Sequence, residues 1–144
     1  MKLAIASDHA GYRLKSFLKA ELVGPVLDLG CHSEAPVDYP DYARMVAEAL
    51  RRGDVAFGIL VCGTGIGISI AANRFRGVRA ALVGDPLAAQ LSREHNNANV
   101  ICLGGRMTGD AQALECVRIF LQTPFAGERH QRRVDMLDAP DEGS

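Results

Sequence analysis

Five short apolar runs alternate with segments of helical periodicity, and this alternation limits the possible folds more than any other feature. Between the runs, apolar residues recur every three or four positions, as in the stretch from Arg13 to Leu22. Strand–helix alternation of this kind predicts a three-layer, Rossmann-like α/β domain, in which helices cover both faces of a five-stranded parallel sheet. The predicted strands span residues 3–6, 26–29, 57–62, 78–83 and 100–103.

Turn residues give the boundaries of the predicted helices. Gly24-Pro25 breaks the first helix, Gly53 closes the second, and Asp85-Pro86 has the pattern of a capped helix start. The segment after Cys62 is ambiguous, because its residues also fit strand alternation, but we predict a helix. The predicted helices span residues 13–22, 40–52, 66–75, 86–97, 110–121 and 128–137.

Length and composition exclude several classes of protein. The 144 residues fit one domain, predicted over residues 1–138, followed by a loose acidic tail over 139–144. A net charge of -1 argues against a nucleic-acid partner, and no apolar run approaches the roughly 20 residues of a membrane span. The apolar stretch after Met1 is too short for a signal peptide, so a cytoplasmic protein is expected. The cysteines are widely spaced, which suggests reduced thiols rather than disulfides or a zinc knuckle.

The turn after the first predicted strand places a carboxylate beside an imidazole. In parallel sheets the turns that follow the strands gather at one edge, where ligands bind. Asp8 and His9 are therefore candidates for binding or catalysis. Alternatively, Asp8 only caps a helix and His9 is incidental.

The turn after the third predicted strand, Cys62-Gly63-Thr64-Gly65-Ile66-Gly67, alternates glycine with other residues. Successive N–H groups of such a turn can converge on an anion. It is neither a Walker loop nor a G-x-G-x-x-G fingerprint, since Ile68 stands where the third glycine would be. Cys62 would lie close to a helix N-terminus, where a thiolate is favoured. Its alternative role is that of a small buried apolar residue.

Further candidates lie late in the chain. His95 and Asn96 end the fourth predicted helix, which places them at the amino edge of the sheet, opposite Cys62. Either these residues only end the helix, or His95 serves the Cys62 turn of a neighbouring subunit. Arg129 and Arg133 share one helix face and suit a phosphate, unless Glu128 or Asp135 pairs with them. Arg106, after the fifth strand, could add another positive charge. His32 beside Cys31 has poor metal-binding geometry, so no metal is expected.

Taken together, these motifs resemble the ribose-5-phosphate isomerases of type B, within a family that also includes galactose-6-phosphate and allose-6-phosphate isomerases. The resemblance extends from Met1 to about Leu137. It is carried by Ser7-Asp8-His9-Ala10-Gly11, Asp38-Tyr39-Pro40-Asp41-Tyr42-Ala43, the segment 62–73, Gly77-Val78-Arg79-Ala80-Ala81, His95-Asn96-Asn97-Ala98-Asn99-Val100 and the segment 127–134.

The resemblance implies conversion between ribose 5-phosphate and ribulose 5-phosphate, a step of the pentose phosphate pathway. It implies no metal or redox cofactor. It also implies a homodimer, or a dimer of dimers, with active sites shared between subunits. Family members differ in the base that moves the carbon proton, which is either a cysteine or a glutamate after the glycine turn. Because Cys62 is present and no glutamate follows Gly67, this chain resembles the cysteine subtype.

The resemblance also implies a role for each candidate residue. His95 protonates the ring oxygen, Asp8 takes or steers a hydroxyl proton, and Cys62 moves the carbon proton. The enediolate is stabilised by the turn residues Gly63, Thr64, Gly65, Ile66 and Gly67. The phosphate lies near His9, Arg129 and Arg133, and the substrate is also bound by Asn96 and Arg106.

Two other functions remain open at this stage. One is isomerisation of a six-carbon sugar phosphate, allose 6-phosphate or galactose 6-phosphate. The other is a non-catalytic module that binds sugar phosphates or nucleotides. The presence of Cys62, Thr64 and His95 in one chain argues against the module, because binding alone does not require that set.

Overall fold

A parallel β-sheet forms the middle layer of the molecule. The computed structural model describes residues 2–140, so residues 141–144 of the expected tail lie outside the described part. The sheet has five strands in the order β2-β1-β3-β5-β4, and every neighbouring pair is parallel. The strands are β1 (Leu3–Ser7), β2 (Val26–Asp28), β3 (Phe57–Cys62), β4 (Ala80–Leu82) and β5 (Val100–Gly104).

Helices cover both faces of the sheet, which confirms the predicted α/β fold. A short 3-10 helix (His9–Gly11) precedes the first of six α-helices. These are α1 (Tyr12–Glu21), α2 (Tyr39–Arg51), α3 (Ile66–Ala72), α4 (Pro86–Asn96), α5 (Asp110–Gln122) and α6 (Arg129–Asp138). Between residues 2 and 140, no helix combines the length and apolar character needed to cross a membrane.

Helix α3 and strand β4 are shorter than predicted. The amide of Asn73 explains both ends, because it accepts a hydrogen bond from Ala80 N–H at 2.8 Å and donates one to Ala80 O at 2.9 Å. This bridge ends the helix and starts the strand at Ala80. Just before it, Arg79 N–H donates to the side chain of Asn99 at 2.8 Å instead of to a neighbouring strand.

The two faces of the sheet bury different sets of side chains. Branched residues such as Ile5, Ile59 and Ile101 pack against α1, α4 and α5. Smaller residues such as Ala4 and Cys102 pack against α2 and α3. Every residue of β1 and β5, and every residue of β3 after Phe57, is therefore buried, as is typical of a parallel sheet covered on both sides. The edge strands β2 and β4 are partly exposed.

The order of the strands creates a crevice between β1 and β3. The connection from β1 leads outward to β2, whereas the connection from β3 leads in the opposite direction to β4. Ligands of open α/β sheets bind at such a reversal, beyond the carboxyl ends of the strands. The turns that follow β1, β3 and β5 are neighbours at this edge. Helix α6 packs instead against α4, close to the amino ends of β4 and β5.

Arg93 in α4 is buried, with 7% of its surface exposed. Its guanidinium donates to Thr123 O, Asn97 Oδ1 and Ala98 O, and it lies 4.8 Å from the centre of the Phe57 ring. Burial, and then the charge of Arg79, lowers its pKa. Arg93 therefore joins the end of α4 to the start of β5 and the end of α5.

We expect Arg93→Met to lower the free energy of unfolding by about 2–3 kcal/mol, because it leaves three acceptors without their charged donor. Urea denaturation measures this loss. Arg118→Met, which changes an exposed arginine of α5, is the control and should cost less than about 0.5 kcal/mol. Equal losses in the two variants would contradict the structural role of Arg93.

The carboxylate of Asp28 connects β2 to α1. Lys15 Nζ donates to it at 2.8 Å, Lys19 Nζ at 3.2 Å and Gly30 N–H at 3.0 Å. Burial by itself would raise the pKa of Asp28, but these donors lower it overall.

This lowered pKa makes stability depend on pH in the acid range. As the pH falls, the carboxylate of Asp28 is protonated first in the unfolded chain, at about pH 4, and only at a lower pH in the folded protein. The stability from this carboxylate is therefore present above about pH 4 and is lost as the pH falls through the folded pKa. We expect Asp28→Asn to weaken the fall in stability below pH about 4. Urea midpoints at several pH values measure it, and Asp54→Asn, in the exposed pair with Arg52, should keep the wild-type slope.

Candidate active site

Backbone hydrogen bonds hold the turns after β1, β3 and β5 together at the carboxyl edge. Asp8 N–H donates to Val61 O at 3.2 Å, and Gly105 N–H donates to Cys62 O at 2.8 Å. Arg106 N–H donates to Gly63 O at 2.9 Å. The side chains that these turns carry are therefore set by the sheet rather than by mobile loops.

Asp8 is buried and caps the short helix that follows it. Its Oδ1 accepts a hydrogen bond from Gly11 N–H at 3.0 Å, as the capping interpretation predicts. Buried side-chain oxygens among the described residues all have partners, so Oδ2, which has none, keeps access to solvent. The carboxylate is thus fixed by one oxygen and free to accept a proton with the other.

The ring of His9 is oriented by the backbone of the loop before α2. Its Nδ1 accepts a hydrogen bond from Val37 N–H at 3.1 Å. In the neutral ring the proton is then on Nε2, which remains a donor. Such a donor suits an anionic oxygen at this edge.

Cys62 ends β3 with its side chain on the α2–α3 face of the sheet, and only 4% of its surface is exposed. Its sulfur accepts a hydrogen bond from Gly65 N–H at 3.2 Å. A donor aimed at sulfur stabilises negative charge there. The thiol is thus both a buried apolar residue and a polarised group beside the glycine turn.

The glycine turn offers fewer free donors than its sequence suggests. Gly65 N–H is bound to the Cys62 sulfur, and Ile66 N–H donates to Thr64 Oγ1 at 3.1 Å. Gly67 and Ile68, in the first turn of α3, have N–H groups without helical partners. Gly65 has φ +80°, and a Cβ there would lie 2.7 Å from Leu82 Cδ1, so only glycine fits this turn.

Tyr39, the first residue of α2, is a further candidate for this site that the sequence did not single out. Its ring lies against Gly67, where an added Cβ would approach the ring and hydroxyl to within 2.7–2.9 Å. Because 39% of its surface is exposed, its hydroxyl can face a ligand above the turn. In the sequence, Tyr39 lies in the segment Asp38-Tyr39-Pro40, which contributes to the family resemblance without a role of its own.

Arg106 covers the other side of the glycine turn. A Cβ built on Gly63 would lie 3.4 Å from Arg106 Nη1, so the guanidinium passes directly over this glycine. Among residues 2–140, no carboxylate lies within 4 Å of it to form an ion pair. The carboxyl edge therefore presents a free positive charge beside Cys62.

His95, Asn96, Arg129 and Arg133 lie at the opposite edge, around α4 and α6. The His95 ring stacks on His130, with centroids 4.4 Å apart and planes inclined by 18°. Arg133 Nη1 reaches Arg129 O at 3.5 Å, so both arginines share one face of α6. In the described part of the chain neither forms an ion pair, and Asp135 accepts from Gln131 instead.

One chain thus holds the candidate residues in two separate groups. The first group, at the carboxyl edge, contains Asp8, His9, Arg106 and the turn from Cys62 to Gly67. The second group, at the amino edge, contains His95, Asn96, Arg129 and Arg133. A cavity of about 590 Å³ between β4 and α4 includes Asn96 in its wall but does not reach Cys62.

Comparison with known proteins covers almost the entire chain. The sequence profile of the ribose/galactose isomerase family matches residues 3–137. Ribose-5-phosphate isomerase B of Escherichia coli is 46% identical over 141 residues, which cover 96% of this chain and 95% of that protein.

Solved structures agree with the fold. A crystal structure of a ribose 5-phosphate isomerase from Thermotoga maritima has 52% sequence identity and a TM-score of 0.93, and the match covers 95% of this chain and 97% of that one. A type B ribose 5-phosphate isomerase from Trypanosoma brucei has 46% identity and a TM-score of 0.90, over 95% and 96% of the two chains. Sequence and fold therefore agree that this chain belongs to the ribose/galactose isomerase family.

Proposed function

We propose that the protein interconverts ribose 5-phosphate and ribulose 5-phosphate as a metal-free isomerase of the cysteine subtype. The observation that carries this proposal is Cys62, whose sulfur accepts a hydrogen bond from Gly65 N–H of the glycine turn, beside the crevice between β1 and β3. The family supplies the reaction class, and relatives from Escherichia coli and Thermotoga maritima carry the name of the ribose enzyme.

The first step opens the sugar ring. The bond between C1 and the ring oxygen breaks, its electron pair goes to that oxygen, and His95 supplies the proton. The proton of the C1 hydroxyl leaves as the carbonyl forms, and the free Oδ2 of Asp8 is placed to accept it. Because His95 and Asp8 lie at opposite edges of one chain, the two groups must come from different subunits.

The second step moves a proton between neighbouring carbons. Cys62 thiolate takes the proton from C2, and the electron pair passes through the C1–C2 bond to the carbonyl oxygen, which gives an enediolate. The thiol then returns the proton to C1. The proton of the C2 hydroxyl moves to the oxygen on C1, and C2 becomes the carbonyl carbon. The Thr64 hydroxyl and the free N–H groups of the turn face the developing negative charge. Each such donor is worth roughly 3–4 kcal/mol in comparable sites.

The phosphate is held by charges from both groups of residues. His9 Nε2 and the guanidinium of Arg106 approach it from the carboxyl edge. Arg129 and Arg133 of a neighbouring subunit approach it from outside, and two guanidinium groups on one helix face can each bind two phosphate oxygens. Asn96, beside His95, binds the sugar. Binding of the phosphate, which is distant from the reacting carbons, holds those carbons in place.

A homodimer is the smallest assembly that completes this site. Apolar side chains are unusually exposed on the surface formed by α3, β4 and α4, namely Ile66, Ile70, Leu82 and Leu87. Each of them is between 47% and 62% exposed, and such a patch is typical of a subunit interface. It supports a dimer that brings the two groups of residues together.

Assays with purified protein test the proposed activity directly. We expect ketose formation from ribose 5-phosphate to be faster than from allose 6-phosphate or galactose 6-phosphate, and to be unaffected by a chelator. Faster turnover of a six-carbon substrate would identify the alternative isomerase. Binding of all three without ketose formation would favour the non-catalytic module.

A further inference from the structure

The ring of His130 packs flat against that of His95. The centroids are 4.4 Å apart and the planes differ by 18°. The contact joins α6 to α4, and the backbone supports it, because Ala126 N–H donates to Glu94 O at 3.1 Å. The backbone N–H of His130 donates to Gly127 O at 3.0 Å in the turn that starts α6. The stacked pair is therefore built into the packing of two helices.

The charges around the pair disfavour a proton on His130. Burial lowers the pKa of His130 first, followed by the charges of His95 on α4 and of Arg129 and Arg133 on α6. Only Glu128 acts in the opposite direction. Two imidazoles in contact do not both carry charge readily.

We propose that His130 is a positioning residue, whose ring holds the His95 imidazole in the orientation needed to donate a proton to the ring oxygen of the sugar. This inference rests on the proposed function, since His95 must supply the proton for ring opening. His130 itself transfers no proton to the sugar.

Because the two sugars differ in their ability to form a ring, ring opening and the later transfer of the carbon proton can be measured separately. Ribose 5-phosphate forms a five-membered ring through its O4. Ribulose 5-phosphate cannot, because the oxygen that would close its ring carries the phosphate. Exchange of the C1 proton of the ketose with solvent deuterium therefore needs Cys62 and the glycine turn, but no ring opening.

The test compares these two reactions in His130→Ala and His130→Phe. We expect His130→Ala to reduce conversion of ribose 5-phosphate by about 10- to 100-fold, because a displaced donor loses its alignment. Deuterium exchange into ribulose 5-phosphate, followed by NMR, should fall several times less. His130→Phe keeps a flat ring without a titratable group, so it should recover most of the conversion. Gln131→Ala, the next position on α6, is the control and should behave as wild type.

NMR chemical shifts of the histidine rings give a readout that does not depend on activity. Removal of the stacked ring in His130→Ala should move the ring resonances of His95, whereas Gln131→Ala should not. Equal losses of conversion and exchange in His130→Ala, or no loss of either, would overturn the inference. So would a failure of His130→Phe to recover conversion while the protein remains folded.

Failure of the proposed function gives a different pattern. In that case the wild-type protein itself does not convert ribose 5-phosphate, or His95→Ala loses conversion and exchange equally. If His95→Ala selectively loses conversion but His130→Ala does not, only the role of His130 is wrong.

Discussion

Substitution of Cys62 with serine is expected to lower the turnover of ribose 5-phosphate by about 10²–10⁴-fold, the range typical for loss of a positioned base. The hydroxyl is similar in size and can still accept the hydrogen bond that Gly65 N–H gives to sulfur at 3.2 Å. The turn should therefore keep its shape. The hydroxyl ionises far less readily than the thiol, so the loss reports on chemistry rather than on folding.

Both reactions of the sugar phosphates measure this effect. Cys62→Ser should lower ketose formation and the exchange of the C1 proton of ribulose 5-phosphate to the same extent, because both need the carbon base. Variants of His95 should lose ketose formation more than exchange. The combination of the two assays thus assigns each residue to its step.

Cys102→Ala is the matched control for this substitution. Cys102 is a fully buried cysteine on the neighbouring strand, and burial raises the pKa of its thiol, so it is held as a neutral apolar group. The control should cost some stability but leave turnover close to wild type. Full activity of Cys62→Ser would show that another group is the base, and a folded but inactive Cys102→Ala would show that activity is sensitive to packing alone.

The strand–helix alternation was sufficient to predict the fold because it depends on local properties. Apolar runs and turn residues such as Asp85-Pro86 act within a few positions, and the helix that begins at Pro86 forms as predicted. The end of α3 was less predictable, since it depends on hydrogen bonds between Asn73, at the end of the helix, and Ala80, at the start of β4. Interactions across a turn are not visible in periodicity.

The candidate site shows the same difference between features set by local sequence patterns and features set by contacts between elements. The positions of Asp8 and Cys62 were predictable because Asp8 directly follows a strand and Cys62 ends one, and parallel strands bring their carboxyl ends to one edge. Tyr39 and His130 owe their positions to the packing of α2 on α3 and of α6 on α4. Such contacts between helices leave no spacing in the sequence. The sequence likewise did not reveal that the N–H groups of Gly65 and Ile66 donate to side chains within the turn itself.

The separation of the candidate residues into two groups leads to the second large effect. Cys62→Ala and His95→Ala should each be almost inactive, but a mixture of the two should recover activity after subunits exchange. In a hybrid dimer, one site receives Cys62 from the His95→Ala chain and His95 from the Cys62→Ala chain, so this site is intact. The second site carries both changes. With equal amounts and random pairing, about half of the dimers are hybrids and the mixture reaches about one quarter of wild-type activity.

A mixture of Cys62→Ala with Thr64→Ala is the control for this recovery. Cys62 and Thr64 lie in the same turn, so every site of their hybrid carries one change or the other and no site is intact. Recovery with His95→Ala but not with Thr64→Ala therefore requires that Cys62 and His95 act across the subunit boundary. Equal behaviour of both mixtures, with exchange of subunits verified by mass, would mean that each chain contains its own complete site. The positions of α4 and α6 at the amino edge would then have to change on substrate binding, which the hydrogen bonds from Arg93 of α4 to Ala98 O and Thr123 O oppose.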